Sequence, residues 1–301
     1  MKAIKKAVII GTILLLSVVT LASLQINSLR LSPLSNNGGT LYSIANSDTM
    51  YTLNCTLPPA SASIGQIEAQ NIPITVDETK LLVKSLFGYE PAKVGPTQSE
   101  QIIILPKGVL SLIGYTTMIY DANTVDVNKV NDFASIKAVA DEFKGKVIAS
   151  VPFRGYDLVY DDITLGMSTI ENGTTLVNYW TVGYRAKVNG VAVYGAGLWV
   201  GVCNGDVVSV VSSLPNIEAT SSSIVVISPD EALKRLGRGE FNGSIADGGI
   251  AYVNKVALGY WYIPNDAEGS AIYPPKIVYS VTGILSRSTY KDSFSVYVPA
   301  E

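Results

Sequence analysis

Histidine is missing from all 301 residues, which removes Ser–His–Asp and Cys–His nucleophile systems, His-ligated zinc and His-ligated haem together. Cysteine is scarce. Cys55 and Cys203 are the only two, and outside the cell they form either one disulfide or two buried thiols. Charge is sparse as well, at 16% of residues against about 25% in an ordinary soluble domain. Net charge is −3, and Lys2, Lys5 and Lys6 supply three of the 22 basic residues with no acid near them. The rest of the chain, holding all 25 acidic residues, is therefore more acidic still and repels phosphate backbones, which excludes nucleic acid as a partner. What the chain has is apolar material: 48% hydrophobic residues and a mean hydropathy of +0.29, enough for a real core and too much for disorder as the main state.

That apolar material is concentrated first at the N-terminus. Residues 1–6 are basic, and residues 7–26 carry no charge over a length that spans a hydrocarbon core of roughly 30 Å. The basic flank stays cytoplasmic, so the body lies outside the cell membrane. Residues 1–27 read as a single-pass membrane anchor, with cleavage near Thr20–Ala22 and secretion as the alternative. Asn54, Asn172 and Asn242 each open an N-glycosylation sequon, consistent with an external body, although two of them are also plain Asn-Gly turns.

Beyond the anchor, residues 28–71 are rich in Ser, Asn, Thr, Gly and Pro and read as a stalk. Thr75 with Glu78 and Ser228 with Glu231 form two capping boxes, each opening a helix. Phe133, Ile136, Val139, Ala140 and Phe143 follow helical spacing after a cap at Asp132. Each helix precedes strand-like runs. Alternation over 182–188, 191–202 and 206–211, broken by Asn189-Gly190 and Asn204-Gly205, predicts an antiparallel meander. The expected fold class is α+β, with three helix-on-sheet units over 72–129, 130–222 and 223–301.

Two stretches resemble known families. Val188-Asn189-Gly190-Val191-Ala192-Val193-Tyr194-Gly195, followed by Asn204-Gly205-Asp206-Val207, is similar to the hairpin of PepSY-like domains, with Ala192 where proline is usual. Ile227-Ser228-Pro229-Asp230-Glu231, then Leu258-Gly259-Tyr260-Trp261, Tyr273-Pro274-Pro275-Lys276 and the ending Phe294 to Ala300 resemble the last domain of YycI-type regulators. The resemblance implies cystatin-like units behind one membrane anchor. It also implies a protein that binds a sensor kinase, transporter or protease rather than one that catalyses.

Chemistry in the remaining residues is thin. Asp157, Asp161 and Asp162 cluster, but without EF-hand spacing they read as a solvated loop. Gly195, Gly197 and Gly201 miss the dinucleotide-binding pattern at Val200. Ser111 near Lys107 and Ser135 near Lys137 are the only pairings that resemble a Ser–Lys dyad. No enzyme activity, metal or cofactor is expected. A partner patch, if present, is expected at Tyr260, Trp261, Tyr262 and Tyr273, because consecutive aromatics on a strand point to both faces. The alternative function is a surface or filament subunit that self-associates through strand edges, with Phe294–Val298 as the expected edge.

Overall fold

The computed structural model describes residues 40–91, 94, 100–115, 117–122, 132–151, 155–169, 175–263, 272–288 and 290–301. The anchor at 7–26 and the sequon at Asn172 lie outside them. The chain divides into two compact units, one of residues up to 62, 225–258 and 277–301, the other of residues 63–224 and 259–276.

The larger unit is built on one antiparallel run of strands. β4 (Gln101–Leu105), β5 (Gly108–Ile113) and β6 (Thr117–Ala122) form a meander. β7 (Asp157–Thr169), β8 (Thr175–Val188), β9 (Val191–Cys203) and β10 (Asp206–Ser213) form a second. β10 then pairs with β6, Ser209 facing Asp121, so both meanders are one sheet. The predicted turns are present: Asn189 and Gly190 have φ of 49° and 82°, and Asn204 and Gly205 have 54° and 84°. Asn and Gly are the residues that tolerate two successive positive φ values.

One face of this sheet is covered by helices α1 (Val76–Phe87) and α2 (Phe133–Ser150). α1 starts on the predicted Thr75–Glu78 box, with both reciprocal bonds made. α2 starts on Asp132, whose side chain accepts from the Ser135 amide. Its apolar stripe of Ile136, Ala140, Phe143 and Val147 is buried. It meets alternate residues of the strands, among them Val182, Tyr184, Leu198, Val200 and Val210, all fully buried. A smaller sheet joins β3 (Ser63–Gln70), β11 (Asn216–Val225) and β13 (Ile272–Tyr273) in the order β11-β3-β13.

The smaller unit has strands β1 (Tyr42–Ser43), β2 (Thr49–Leu53), most of β12 (Gly249–Trp261), β14 (Lys276–Ser286) and β15 (Lys291–Pro299). β2 lies parallel to β12, with Thr49 facing Gly249, and β15 antiparallel to β14. Among the described residues this unit has a single helix, α3 (Pro229–Gly237), which buries Ala232, Leu233 and Leu236. The Tyr51 hydroxyl donates to the Leu233 carbonyl at 3.0 Å, and Arg235 donates to the carbonyls of Pro299 and Glu301. Ser228 caps α3, but the Glu231 carboxylate accepts from Arg238 instead of closing the box.

The expected α+β repeat of three helix-on-sheet units is therefore not the fold. Strands dominate, pairing links twelve of them in a mixed sheet, and the described residues hold three helices. The physical reason is strand pairing at long range. The β6–β10 ladder merges the expected units 72–129 and 130–222 into one sheet that α1 and α2 share. The expected stalk is corrected as well: residues 42–70 supply β1, β2 and β3, with Tyr51, Ile64, Ile67 and Ala69 buried.

β9 carries a wide bulge. Arg185 faces Gly197 and Ala186 faces Val193, which leaves Tyr194, Gly195 and Ala196 without opposite residues on β8. Gly195 has φ of 86°, and a Cβ there would stand 2.1 Å from the Tyr262 carbonyl oxygen. Gly195→Ala combines strain with a backbone clash and should cost about 2–3 kcal/mol in chemical denaturation. Gly65→Ala, with open space around it, should stay within about 0.5 kcal/mol.

Candidate functional site

The C-terminal end of α1 and the middle of α2 stand side by side on the sheet and leave a cleft of about 460 Å³ in the larger unit. Gly88 ends α1 in a left-handed conformation, φ 65°, with its N–H on the Lys84 carbonyl, and this turn brings Tyr89 to the cleft rim. The floor is aromatic. Phe87 packs against Tyr120 at 4.7 Å and Phe143 at 5.9 Å between ring centroids, both tilted. Leu86 of α1, Leu105 at the end of β4, Pro106 of the following turn, Val139 of α2 and Val207 of β10 complete the apolar lining.

Charged side chains edge this floor in compensating pairs. Lys146 meets Glu142 at 2.8 Å, one helical turn apart, which holds the Glu142 carboxyl below its usual range. Lys107 and Asp206, from the β4–β5 and β9–β10 turns, stand 3.9 Å apart. All four are largely exposed, so the pairs contribute little to stability but leave the rim polar and without surplus charge. Burial raises the Tyr120 hydroxyl above its ordinary pKa, with Asp121 and Asp206 adding to the rise. An aromatic floor with a charge-paired polar rim has the anatomy that suits an apolar side chain edged by polar contacts.

Beside the cleft, α2 is latched to the sheet by polar contacts. Asp141 accepts from Lys137 at 2.5 Å and from the buried Tyr184 hydroxyl at 2.8 Å. Burial alone would raise the Asp141 carboxyl, but these bonds outweigh it and hold it low. The Lys144 ammonium lies 4.7 Å from the Tyr184 ring centroid.

The residues singled out in the sequence fall elsewhere. Tyr260 and Tyr262 are buried, with their hydroxyls on the Gly65 carbonyl at 2.6 Å and the Asn71 side chain at 2.8 Å. They share one face of the strand and anchor it inward, so these two of the four expected patch residues are core contacts. Trp261 takes the opposite face, half-buried, with the Lys276 ammonium 5.8 Å from its ring. The Tyr273 backbone pairs with Ala69 in β13, and its side chain lies outside the described residues. Cys55 is half-buried and Cys203 buried, as separate thiols rather than a disulfide; burial raises the Cys55 thiol above its ordinary pKa.

Asn54 is exposed, its side chain donating to Asn254, and Asn242 is half-buried with its backbone bridged to Tyr297. Ser111 donates to Glu100 and Ser135 to Asp132, so neither serine meets its nearby lysine. Among the described residues, no group of three or more His, Cys, Asp or Glu side chains gathers as a metal site.

The acidic cluster is divided between two roles. A bulge in β7 turns Asp161 toward the buried Arg185, whose Nε and Nη2 both donate to Asp161 Oδ2 at 2.8 and 2.5 Å. The Arg185 guanidinium also lies 5.3 Å from the Tyr194 ring. Asp162 instead lies over Gly183, where a Cβ would come within 2.3 Å of its Oδ1. Sequence spacing reveals neither the cleft nor this pair, because both are assembled from segments far apart in the chain.

No protein-family model matches the chain, and no curated protein matches its sequence. Among solved structures, the fold is similar to an uncharacterized protein from Eubacterium rectale, at 10% identity and a TM-score of 0.47. The match covers 84% of this chain and 88% of that one.

Asp162 supplies a measurable pH signature. Burial raises its carboxyl, the Asp161 charge adds to the rise, and Arg185 opposes it. A carboxyl raised on folding favours the native state while protonated, and that contribution is lost as pH rises through the native pKa. Asp162→Asn should therefore unfold at higher denaturant than the parent at pH 7, with the gap closing as pH falls toward the ordinary carboxylate range. A variant no more stable than the parent at pH 7 contradicts this.

Proposed function

We propose that this chain is a membrane-anchored extracytoplasmic binding protein that regulates a partner through protein–protein contact. The observation that carries the reading is the cleft at the end of α1. Its floor of Phe87, Tyr120 and Phe143 and its rim of paired charges have the anatomy of a small interface, apolar at the centre and polar at the edge. Residues 7–26, uncharged and long enough for one span, supply the anchor in this reading, with the basic residues 1–6 on the cytoplasmic side. Among the described residues no helix is long and apolar enough to cross a membrane, and the expected span lies outside them. The partner inserts an apolar side chain into the cleft, and a sensor kinase, transporter or protease at the same membrane is the expected class.

A photo-crosslinking residue at Glu142, exposed on the cleft rim, tests this in intact cells. The expected result is one protein adduct from the membrane fraction that disappears when Val139→Trp fills the cleft, with the melting curve unchanged. An adduct that persists with the cleft filled overturns the site. Recovery of the chain from the soluble fraction with a mature N-terminus near residue 23 overturns the anchor.

A further inference from the structure

We infer that β4 is a self-association edge, at which two copies of this chain pair antiparallel about Ile103. β4 ends the strand order of the large sheet, with β5 on one side and, among the described residues, no strand on the other. Edge strands in native proteins are commonly guarded by charge, proline or a bulge. β4 has none of these: its sequence is Gln-Ile-Ile-Ile-Leu and its pairing with β5 is regular from Gln101 to Leu105. Gln101, Ile103 and Leu105 point into the core, while Ile102 and Ile104 face outward at 51% and 75% exposure. Val109, directly opposite Ile104 on β5, is 39% exposed and extends the same apolar strip.

The sequence of this edge is its own complement. Centring an antiparallel pair on Ile103 sets Ile102 of one copy against Ile104 of the other, twice, on the outward face. Cross-strand β-branched pairs of this kind stabilise sheets, and here they cover Ile104, the most exposed isoleucine among the described residues. The same register sets Glu100 against Pro106 of the second copy, so no like charges face each other at either end. The isoleucines favour this register over a one-residue slip, which would set the outward residues of one copy against inward residues of the other.

The last strand, the edge expected from sequence, is a weaker candidate. Asn242 and Tyr297 exchange backbone hydrogen bonds at 2.8 Å each way, which occupies part of the outer edge of β15. The contact at β4 is short, five residues a side, so the dimer is weak and concentration-dependent. This inference does not require a partner in the cleft, although Leu105 and Pro106 border both surfaces.

Sedimentation of the full chain in detergent from about 1 to about 100 µM tests it by mass action. The expected result is a shift from monomer to dimer across that range. Ile104→Lys, at a solvent-facing position, should weaken the dimer at least about tenfold by placing like charges beside the two-fold axis, with the melting curve unchanged. Ile102→Lys should act in the same way. A parent that stays monomeric throughout overturns the inference, and so does a dimer that both lysine variants leave intact, because that dimer is held by other residues.

Discussion

The period-two alternation of β8, β9 and β10 is the constraint on which the larger unit depends. Val182, Tyr184 and Ala186 on β8 and Ala196, Leu198, Val200 and Val202 on β9 all point to one face and are essentially inaccessible to solvent. Each such aliphatic side chain is worth roughly 1.5–3 kcal/mol when fully buried, so together they fix the register. A slip of one residue would turn the whole set outward. α2 is seated on this face by Ile136, Ala140, Phe143 and Val147, and the Tyr184–Asp141 bond pins its rotation. α1 is placed in turn against α2, through the Phe87–Phe143 contact and a 2.6 Å bond between the Ser85 and Ser150 hydroxyls. The cleft is what remains where α1 stops at Gly88 while α2 continues, so its shape follows from strand register.

Local structure was legible in the sequence to a large degree, and assembly was not. The caps at Thr75, Asp132 and Ser228 and the turns at Asn189-Gly190 and Asn204-Gly205 act through neighbouring residues, and all are present. The strand runs over 182–188, 191–202 and 206–211 appear within β8, β9 and β10. Pairing across long separations leaves no local trace. Ser209 meeting Asp121 turns two expected units into one sheet, and Thr49 meeting Gly249 draws polar residues taken for a stalk into a strand. The stalk reading failed because strands with one exposed face are rich in the Ser, Thr and Asn that also mark linkers.

The same distinction governs the functional residues. Tyr260 and Tyr262 attract attention as a surface patch, but a phenol on a strand serves equally as an anchor with an apolar body and one hydrogen bond, and both rings do so here. The cleft draws on Phe87, Tyr120 and Phe143, which sit in three separate elements and read in sequence as ordinary core positions. Its rim charges are already neutralised within the chain, which favours an apolar guest over an ionic one. The proposed cleft site is a recess suited to a side chain, and the proposed β4 contact an edge suited to a backbone; the two adjoin at Leu105 and Pro106.

Amide hydrogen exchange of the full chain in membranes of the source cell, compared with the purified chain in dilute detergent, tests occupation of the proposed cleft site most directly. The account predicts slower exchange in the membrane at residues 86–89, 105–107, 120, 139–146 and 205–207, the segments that line the cleft, with residues 133–138 of α2 unchanged. Equal exchange in those segments under both conditions would contradict it, since a cleft that no partner fills in the membrane is not the binding site of an anchored regulator.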